Sequence, residues 1–168
     1  QYTTDGKTWI DVNGDIYTNY QEHVTVTDIQ LDNVVAVRYI CTAVGSQNKW
    51  PAMREFTLQQ TKTKKKDPTV ITTEVIRTSP EEGWSVYSGE ESNAIDGNDN
   101  TGISYAVRWG GSPSNTMIDG DYFGIKISQP IVLGKIHILQ GPNDSNDDYM
   151  KQAELQYSLD GVNWTTIQ

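Results

Sequence analysis

One nine-residue pattern occurs twice in the chain, and it limits the folds that the chain can adopt. Residues 1–9 read QYTTDGKTW and residues 156–164 read QYSLDGVNW, with five identical positions. Each copy has a strand-like start, an Asp-Gly turn and a Trp that opens a second strand, which is the pattern of a β-hairpin. Two copies of one hairpin so far apart in the sequence indicate an internal repeat.

The rest of the chain also favours strands joined by polar loops. Residues 24–27 and 122–127 alternate between apolar and polar side chains, and residues 34–42 form a nearly continuous apolar run. A Gln-Pro pair at 129–130 is predicted to close the strand at 122–127 before another apolar run at 131–139. Helical periodicity is poor throughout, so we predict an all-β fold.

The charge of the chain excludes two classes of partner. The 168 residues carry a formal net charge of −9, and an acidic surface repels nucleic acid and anionic membranes. The sequence contains no apolar run long enough to cross a membrane as a helix. We therefore expect neither nucleic-acid binding nor membrane insertion.

Residues 93–101, NAIDGNDNT, place several oxygen-bearing side chains around one glycine. Calcium in proteins takes about six to eight oxygen ligands, which a loop of this composition can supply. The alternative is an Asx turn in a surface loop without an ion. The spacing of an EF-hand is absent, because no Glu stands at the twelfth position counted from Asp96.

The run at 94–101 resembles the signature loop of discoidin, or factor V/VIII type C, domains. Its longer setting at 84–105 is similar to family 32 carbohydrate-binding modules of bacterial glycosidases. The resemblance implies a β-sandwich of the jelly-roll, galactose-binding-like type with one structural calcium (Ca²⁺) ion. It also implies the ligands of that ion: the side chains of Asp96, Asn98, Thr101 and Glu55, and the carbonyls of Asn93 and Arg54.

The same resemblance implies that the halves of the domain stand in permuted order. Residues 1–59 match the C-terminal half, residues 60–80 form a linker in which 70–76 can add a strand, and residues 81–168 match the N-terminal half. The halves can fold together as one circularly permuted sandwich, or they can belong to tandem domains that pair between chains, as a head-to-tail self-association. One sandwich has one place for the hairpin, so one of the two copies is surplus.

Sugar binding needs an aromatic face for the ring and planar polar groups for the hydroxyls. Aromatic, amide and charged side chains in predicted loops are the candidate carbohydrate-binding residues: Tyr87, Glu90, Tyr105, Arg108, Trp109, Asn143 and Trp50. Trp50 or Tyr105 would stack on the sugar, while Arg108 donates hydrogen bonds to vicinal hydroxyls and Glu90 accepts them. The resemblance implies a shallow site near the calcium loop for terminal galactose, N-acetylgalactosamine or N-acetylglucosamine.

No catalytic pattern stands out in the sequence. Acidic pairs are adjacent rather than spaced to converge on a substrate, and no Ser-His-Asp, phosphate-loop or metal-hydrolase motif is present. We predict a non-catalytic carbohydrate-binding module that recognises terminal sugars of glycans and targets a secreted glycosidase, so the expected location is secreted or cell-surface. Its other partners would be further modules of the parent polypeptide. The alternative is a structural or adhesive spacer without sugar affinity, and an independent enzyme comes third.

Overall fold

A computed structural model describes residues 23–42, 51–61, 72–111, 116–141, 148–150 and 152–167. These ranges contain two short 3-10 helices, Pro80–Glu82 and Glu91–Ala94. They also contain nine strands: β1 His23–Val26, β2 Leu31–Cys41, β3 Ala52–Gln60, β4 Thr73–Arg77, β5 Trp84–Gly89, β6 Ile103–Val107, β7 Tyr122–Gln140, β8 Ala153–Ser158 and β9 Thr165–Ile167. The predicted all-β class is confirmed. Within the described ranges, no helix has the length and apolar character needed to cross a membrane.

Strand β7 belongs to both layers of the sandwich. Its first part pairs with β4 on one side and β2 on the other, and β8 and β9 extend that layer beyond β2. Its second part pairs with β1 and β3, and β6 and β5 extend that layer beyond β3. All of these pairings are antiparallel, and the one long strand takes part in both layers.

The expectation that a strand ends at Gln129 and Pro130 is wrong, because β7 runs through both residues. The pairing of β2 with β7 is irregular here, because Val34 pairs with Ile131 whereas Ala36, two residues further on, pairs with Lys126. Pro130 lies inside this irregular stretch, where no ladder hydrogen bond to β2 needs its missing N–H. The proline therefore lies where the strand passes from one layer to the other.

Aromatic side chains fill the space between the layers. The ring of Phe123 on β7 lies 6.2 Å from that of Phe56 on β3 and 6.1 Å from that of Tyr105 on β6, measured between centroids. Trp84 on β5 packs against Tyr105 at 5.3 Å. All four side chains are at most 1% exposed. Aromatic residues of this size bury large apolar areas and dominate the energy of a core.

The two predicted halves of the domain, residues 1–59 and 81–168, contribute strands to the same ladder. They are called the two segments below. Strand β2 lies between β7 and β8, and β3 lies between β6 and β7. Strands from both segments are therefore neighbours in this single chain. The place beside β2 is filled by the C-terminal hairpin β8–β9, while residues 1–9 lie outside the described residues.

Strand β4 comes from the segment predicted as a linker, and Arg77 at its end ties it to the β5–β6 hairpin. The Arg77 Nε donates to Glu91 Oε1 at 2.7 Å, and its guanidinium lies over the ring of Tyr105 at 5.0 Å. A second hydrogen bond runs from Nη1 to the carbonyl of Trp84 at 3.4 Å. These contacts fix the hairpin whose connecting loop carries the oxygen-rich segment.

Candidate functional site

The oxygen-rich loop connects strands β5 and β6, which end and begin at Gly89 and Ile103. Gly89 has a φ of +79°, and a Cβ there would collide with the carbonyl oxygen of Gly102. Only glycine accepts both conditions without strain. The carbonyl of Gly102 also accepts a hydrogen bond from Asn93 Nδ2 at 3.1 Å. The base of the loop is therefore closed by two glycines and one amide.

Within the loop, the carboxylate of Asp96 organises the turn. Its Oδ1 accepts from the N–H of Asn98 at 2.8 Å, and its Oδ2 accepts from the hydroxyl of Thr101 at 2.8 Å. The side chain of Asn98 accepts from the N–H of Asn100 at 3.1 Å. These are consecutive Asx turns, which hold the side-chain oxygens of the loop at a fixed separation from one another.

A buried carboxylate from the other segment lies under this loop. Glu55 on β3 is 2% exposed, and its Oε2 accepts from the N–H of Gly97 at 2.9 Å. Its Oε1 is buried without a hydrogen-bond partner among the described residues. Burial, followed by the negative charges of Asp96 and Asp99, raises the pKa of Glu55 above its usual range. The structure brings Glu55 to the predicted ligands although it precedes them in the sequence.

The donor set fits a hard cation. An unpartnered buried carboxylate oxygen is costly unless a positive group pairs with it, and a cation would neutralise it together with Asp96. Among the described residues, no group of three or more His, Cys, Asp or Glu side chains is arranged to hold a metal ion. The remaining ligands would therefore be the neutral oxygens of Asn98, Thr101 and the backbone, which suit calcium better than zinc.

A polar cleft opens beside the loop at the same end of the sandwich. Its volume is about 190 Å³. The lining residues come from strand ends and from the loop: Ala52, Arg54, Asn100, Thr101, Gly102, Ile103, Ser104 and Gly141. The N–H of Gly141 donates to the carbonyl of Ala52 at 2.9 Å, which joins the ends of β7 and β3. The cleft is thus supported by rigid elements from both segments.

Two predicted sugar residues, Trp50 and Asn143, lie outside the described residues. Trp50 immediately precedes Pro51, whose carbonyl accepts from the N–H of Tyr105 at 3.0 Å. Asn143 follows Gly141, a lining residue of the cleft, by two positions. Their side chains stay predictions.

Tyr87 and Glu90 lie on the exposed edge of the same hairpin. Tyr87 falls between Val86 and Ser88, where the pairing of β5 with β6 shifts by one residue, and its side chain is 62% exposed. Such a bulge turns a side chain away from the regular alternation of the strand. Glu90 is exposed and begins the loop that leads to the oxygen-rich turn.

Tyr105 cannot provide the stacking face that the sequence suggested, because it is 1% exposed and lies in the core. Its hydroxyl donates to Glu91 Oε1 at 3.5 Å. Burial and the charge of Glu91 raise the pKa of Tyr105 above its usual range, so the phenol stays protonated. Its contribution is to packing and to the position of the hairpin.

Arg108 and Trp109 lie at the opposite end of the β5–β6 hairpin, where Trp84 pairs with Val107. The Arg108 guanidinium forms two parallel hydrogen bonds to Asp121, at 2.7 and 2.8 Å. This pairing raises the pKa of Arg108. The expected fork of hydrogen bonds from Arg108 therefore goes to a buried carboxylate within the protein.

A second cleft of about 480 Å³ is open at this far end. Its lining includes three charged residues and one aromatic residue, Trp109. The full set is Pro80, Glu81, Glu82, Gly83, Ser85, Arg108, Trp109 and Gly111. Trp109 is 65% exposed. The structure thus separates the predicted sugar residues into a group at the loop end and a group at the far end.

Sequence reasoning missed the residues that fix the two ends. Asp121 carried no local pattern, and only the antiparallel layers place it against Arg108. Arg54 was considered only as a donor of its backbone carbonyl to the calcium ion, although this residue also lines the cleft. Ser104 could have been found from the alternation of Ile103, Ser104 and Tyr105, which directs the serine away from the core.

A comparison with known protein families found one family that accounts for both the strands and the oxygen-rich loop. The family model for the F5/8 type C domain matches residues 74–168, more than half of the chain. The match includes the oxygen-rich loop, strands β5 to β9 and all of β4 except Thr73. It confirms the resemblance found in residues 94–101. No curated protein and no solved structure matched the chain.

Proposed function

Because this chain belongs to the F5/8 type C, or discoidin, domain family, we propose that it is a non-catalytic module that binds terminal sugars of glycans. The family comprises carbohydrate-binding and other ligand-binding modules and is typically non-catalytic. The proposal adds the class of ligand and the place where the ligand binds.

The observation that carries the proposal is the polar cleft at the loop end. Its lining includes Arg54, Asn100 and Ser104, which come from β3, the oxygen-rich loop and β6. Guanidinium, amide and hydroxyl groups are the donors and acceptors that sugar hydroxyls require. A cleft of about 190 Å³ suits one terminal sugar better than a long chain.

We also propose that the oxygen-rich loop holds one calcium ion. The side chains of Glu55, Asp96, Asn98 and Thr101, with the carbonyls of Asn93 and Arg54, would be its ligands. The support is the buried Oε1 of Glu55, which has no hydrogen-bond partner among the described residues. The ion would fix Asn100 and Thr101 at the edge of the cleft, because both belong to the same turns.

The proposed setting is a secreted or cell-surface polypeptide in which this module directs a glycosidase to its glycan. The partners would then be the glycan and the other modules of that polypeptide. The competing function is a structural or adhesive spacer, which would keep the fold and the loop but have no affinity for sugars. A binding experiment separates the two.

A glycan array tests the proposal, followed by titration with galactose, N-acetylgalactosamine and N-acetylglucosamine. Small sugars bury little area, so we expect dissociation constants on the order of micromolar to millimolar. Asn100→Ala and Trp50→Ala should each weaken binding at least tenfold. Trp109→Ala is the matched control, because that Trp lies at the far end and its removal should leave binding unchanged.

Silence across the array, with calcium-dependent stability intact, would support the spacer instead. Loss of binding in Trp109→Ala, with normal binding in Asn100→Ala and Trp50→Ala, would place the sugar in the far cleft and contradict the proposed site.

A further inference from the structure

The C-terminal hairpin β8–β9 is held beside β2 by one arginine. The Nε of Arg38 donates to Gln156 Oε1 at 2.8 Å. The same guanidinium lies over the ring of Trp164, at 4.1 Å from its centroid. Arg38 and Gln156 are also directly paired in the ladder between β2 and β8. One cation therefore contacts the first and the last residue of the repeated nine-residue pattern.

The turn of this hairpin depends on three residues of the pattern. The carboxylate of Asp160 accepts from the N–H groups of Val162 and Asn163 at 2.8 and 2.7 Å. The hydroxyl of Ser158 accepts from the N–H of Gly161 at 2.8 Å. Gly161 has a φ of +79°, which favours glycine. The turn thus needs a hydroxyl, an aspartate and a glycine at fixed spacing.

The N-terminal copy of the pattern retains the partners of Arg38 and the three residues of the turn described above. The five identical pairs are Gln1 and Gln156, Tyr2 and Tyr157, Asp5 and Asp160, Gly6 and Gly161, and Trp9 and Trp164. Thr3 supplies the hydroxyl of Ser158, and Val12 supplies an apolar side chain for Ile167, which is 7% exposed. The N-terminal copy would therefore offer Arg38 the same two kinds of partner, in Gln1 and Trp9.

The clearest differences between the copies fall on exposed positions. Thr4 replaces Leu159, which is 53% exposed, and Lys7 replaces Val162, which is 76% exposed. A change from an apolar to a polar side chain at such positions costs little, because neither packs against the layer. Two hydrogen-bonding side chains also differ: Thr8 replaces Asn163, which donates to Asp160 at 2.7 Å, and Asp11 replaces Thr166, which donates to Glu154 at 2.9 Å. The contacts with Arg38 are the ones that divergence has spared.

We propose that the place beside β2 is a docking site for either copy, and that residues 1–12 of the same chain exchange there with residues 156–167. The ten residues at 13–22 separate this segment from β1, and such a connection can span roughly 33–36 Å. A tethered segment competes at an effective concentration in the millimolar range, which exceeds that of a second molecule in dilute solution.

The C-terminal copy occupies the site in this structure. It pairs six residues with β2, and Ala153 and Leu155 are at most 2% exposed. The N-terminal copy should therefore enter the site chiefly when this resident hairpin is weakened, which sets the design of the test.

A double-mutant cycle on the full chain tests the exchange. Trp9→Ala alone should leave the urea unfolding midpoint unchanged, since residues 1–12 are not the resident occupant. Trp164→Ala should lower it, and the double variant should lower it further than the sum of the two. Hydrogen exchange should become faster at residues 156–167 in Trp164→Ala, while those amides of β2 that face β8 stay protected. The β2 amides that face β7 are protected in either case and serve as the reference.

Additive losses, or a double variant equal to Trp164→Ala, would overturn the proposal. The same holds if the β2 amides that face β8 lose protection together with residues 156–167, because the site would then be empty. Coupling that grows with protein concentration, with the mass of two chains, would refute exchange within one chain. The pair Gly6→Val and Gly161→Val repeats the cycle through the turn, without removing an aromatic side chain.

Discussion

The buried carboxylate of Glu55 accepts a hydrogen bond at 2.9 Å from the N–H of Gly97, which stands 42 residues further along the chain. This bond joins strand β3 of one segment to the oxygen-rich loop of the other. The position of the loop relative to the cleft therefore depends on both segments folding together. The contact also places the carboxylate near Asp96 and Asp99, whose negative charges contribute to the raised pKa of Glu55.

We expect calcium to stabilise the protein and a chelator to reverse the effect. An ion that binds only the folded chain adds about 2.7 kcal/mol at a concentration a hundredfold above its dissociation constant. Thermal unfolding with calcium and with chelator measures the difference. Glu55→Gln should remove most of it, whereas Glu74→Gln, on an exposed residue of β4, should retain it. Equal melting temperatures with and without calcium would leave the loop as a plain Asx turn.

Without calcium, the stability contributed by Glu55 should fall as the pH rises. Its pKa is raised in the folded protein, chiefly by burial, so between the two pKa values the folded state binds more protons than the unfolded state. The contribution is then complete below the unfolded pKa of about 4.3 and is lost as the pH rises through the folded pKa.

Melting temperatures in chelator across this pH range measure the effect. Relative to Glu55→Gln, which keeps the hydrogen bond from Gly97 without the charge, the wild-type protein should lose stability as the pH rises. A difference between the two proteins that does not change with pH would contradict the raised pKa.

The sequence predicted the strands and the loop well, because both depend on local patterns. Alternation located β1 and the first part of β7, and the nine-residue motif located the turn at Asp160. The sequence pattern suggested a loop and a sugar-binding role for Tyr105, which is wrong because the Tyr is buried on β6. The alternation of Ile103, Ser104 and Tyr105 would have indicated this.

Relations between distant residues could not be predicted in this way. The pairing of Arg108 with Asp121 requires the chain to return across the end of the hairpin, and no spacing in the sequence encodes that path. The separation of Trp109 from the oxygen-rich loop has the same origin. The loop joins β5 and β6 at one end of the hairpin, and Trp109 follows β6 at the other end. The family resemblance gathered these loops at one end, whereas the layers distribute them between two.

The ion pair of Arg108 and Asp121 should contribute to stability rather than to ligand binding. The exposed fractions of the two side chains are 12% and 3%, and Asp121 also accepts from the N–H of Ile118 at 2.8 Å. Removing one partner of a buried pair leaves an uncompensated charge, which costs about 3–5 kcal/mol. Arg108→Ala and Asp121→Asn should both lower the urea unfolding midpoint, while Asp119→Asn, on an exposed residue, should not. Normal stability in Arg108→Ala would show that the pair is dispensable.

The closing glycine of the loop should be the position least tolerant of a methyl group. Gly89→Ala would force a left-handed φ on alanine, at about 1–2 kcal/mol, and would push against the carbonyl of Gly102. That carbonyl accepts from Asn93, so the displacement reaches the base of the proposed calcium site. With about 1–3 kcal/mol for the overpacking, we expect a total of roughly 2–5 kcal/mol and weaker calcium binding.

Gly110→Ala is the matched control for this substitution. Its φ of +72° is similar, but a Cβ there meets no atom within 4 Å. It should therefore cost only the backbone strain and should leave calcium binding unchanged. Urea unfolding and calcium titration of both variants separate strain from collision. Equal losses at the two positions would mean that the approach of Gly89 to Gly102 does not set the shape of the loop.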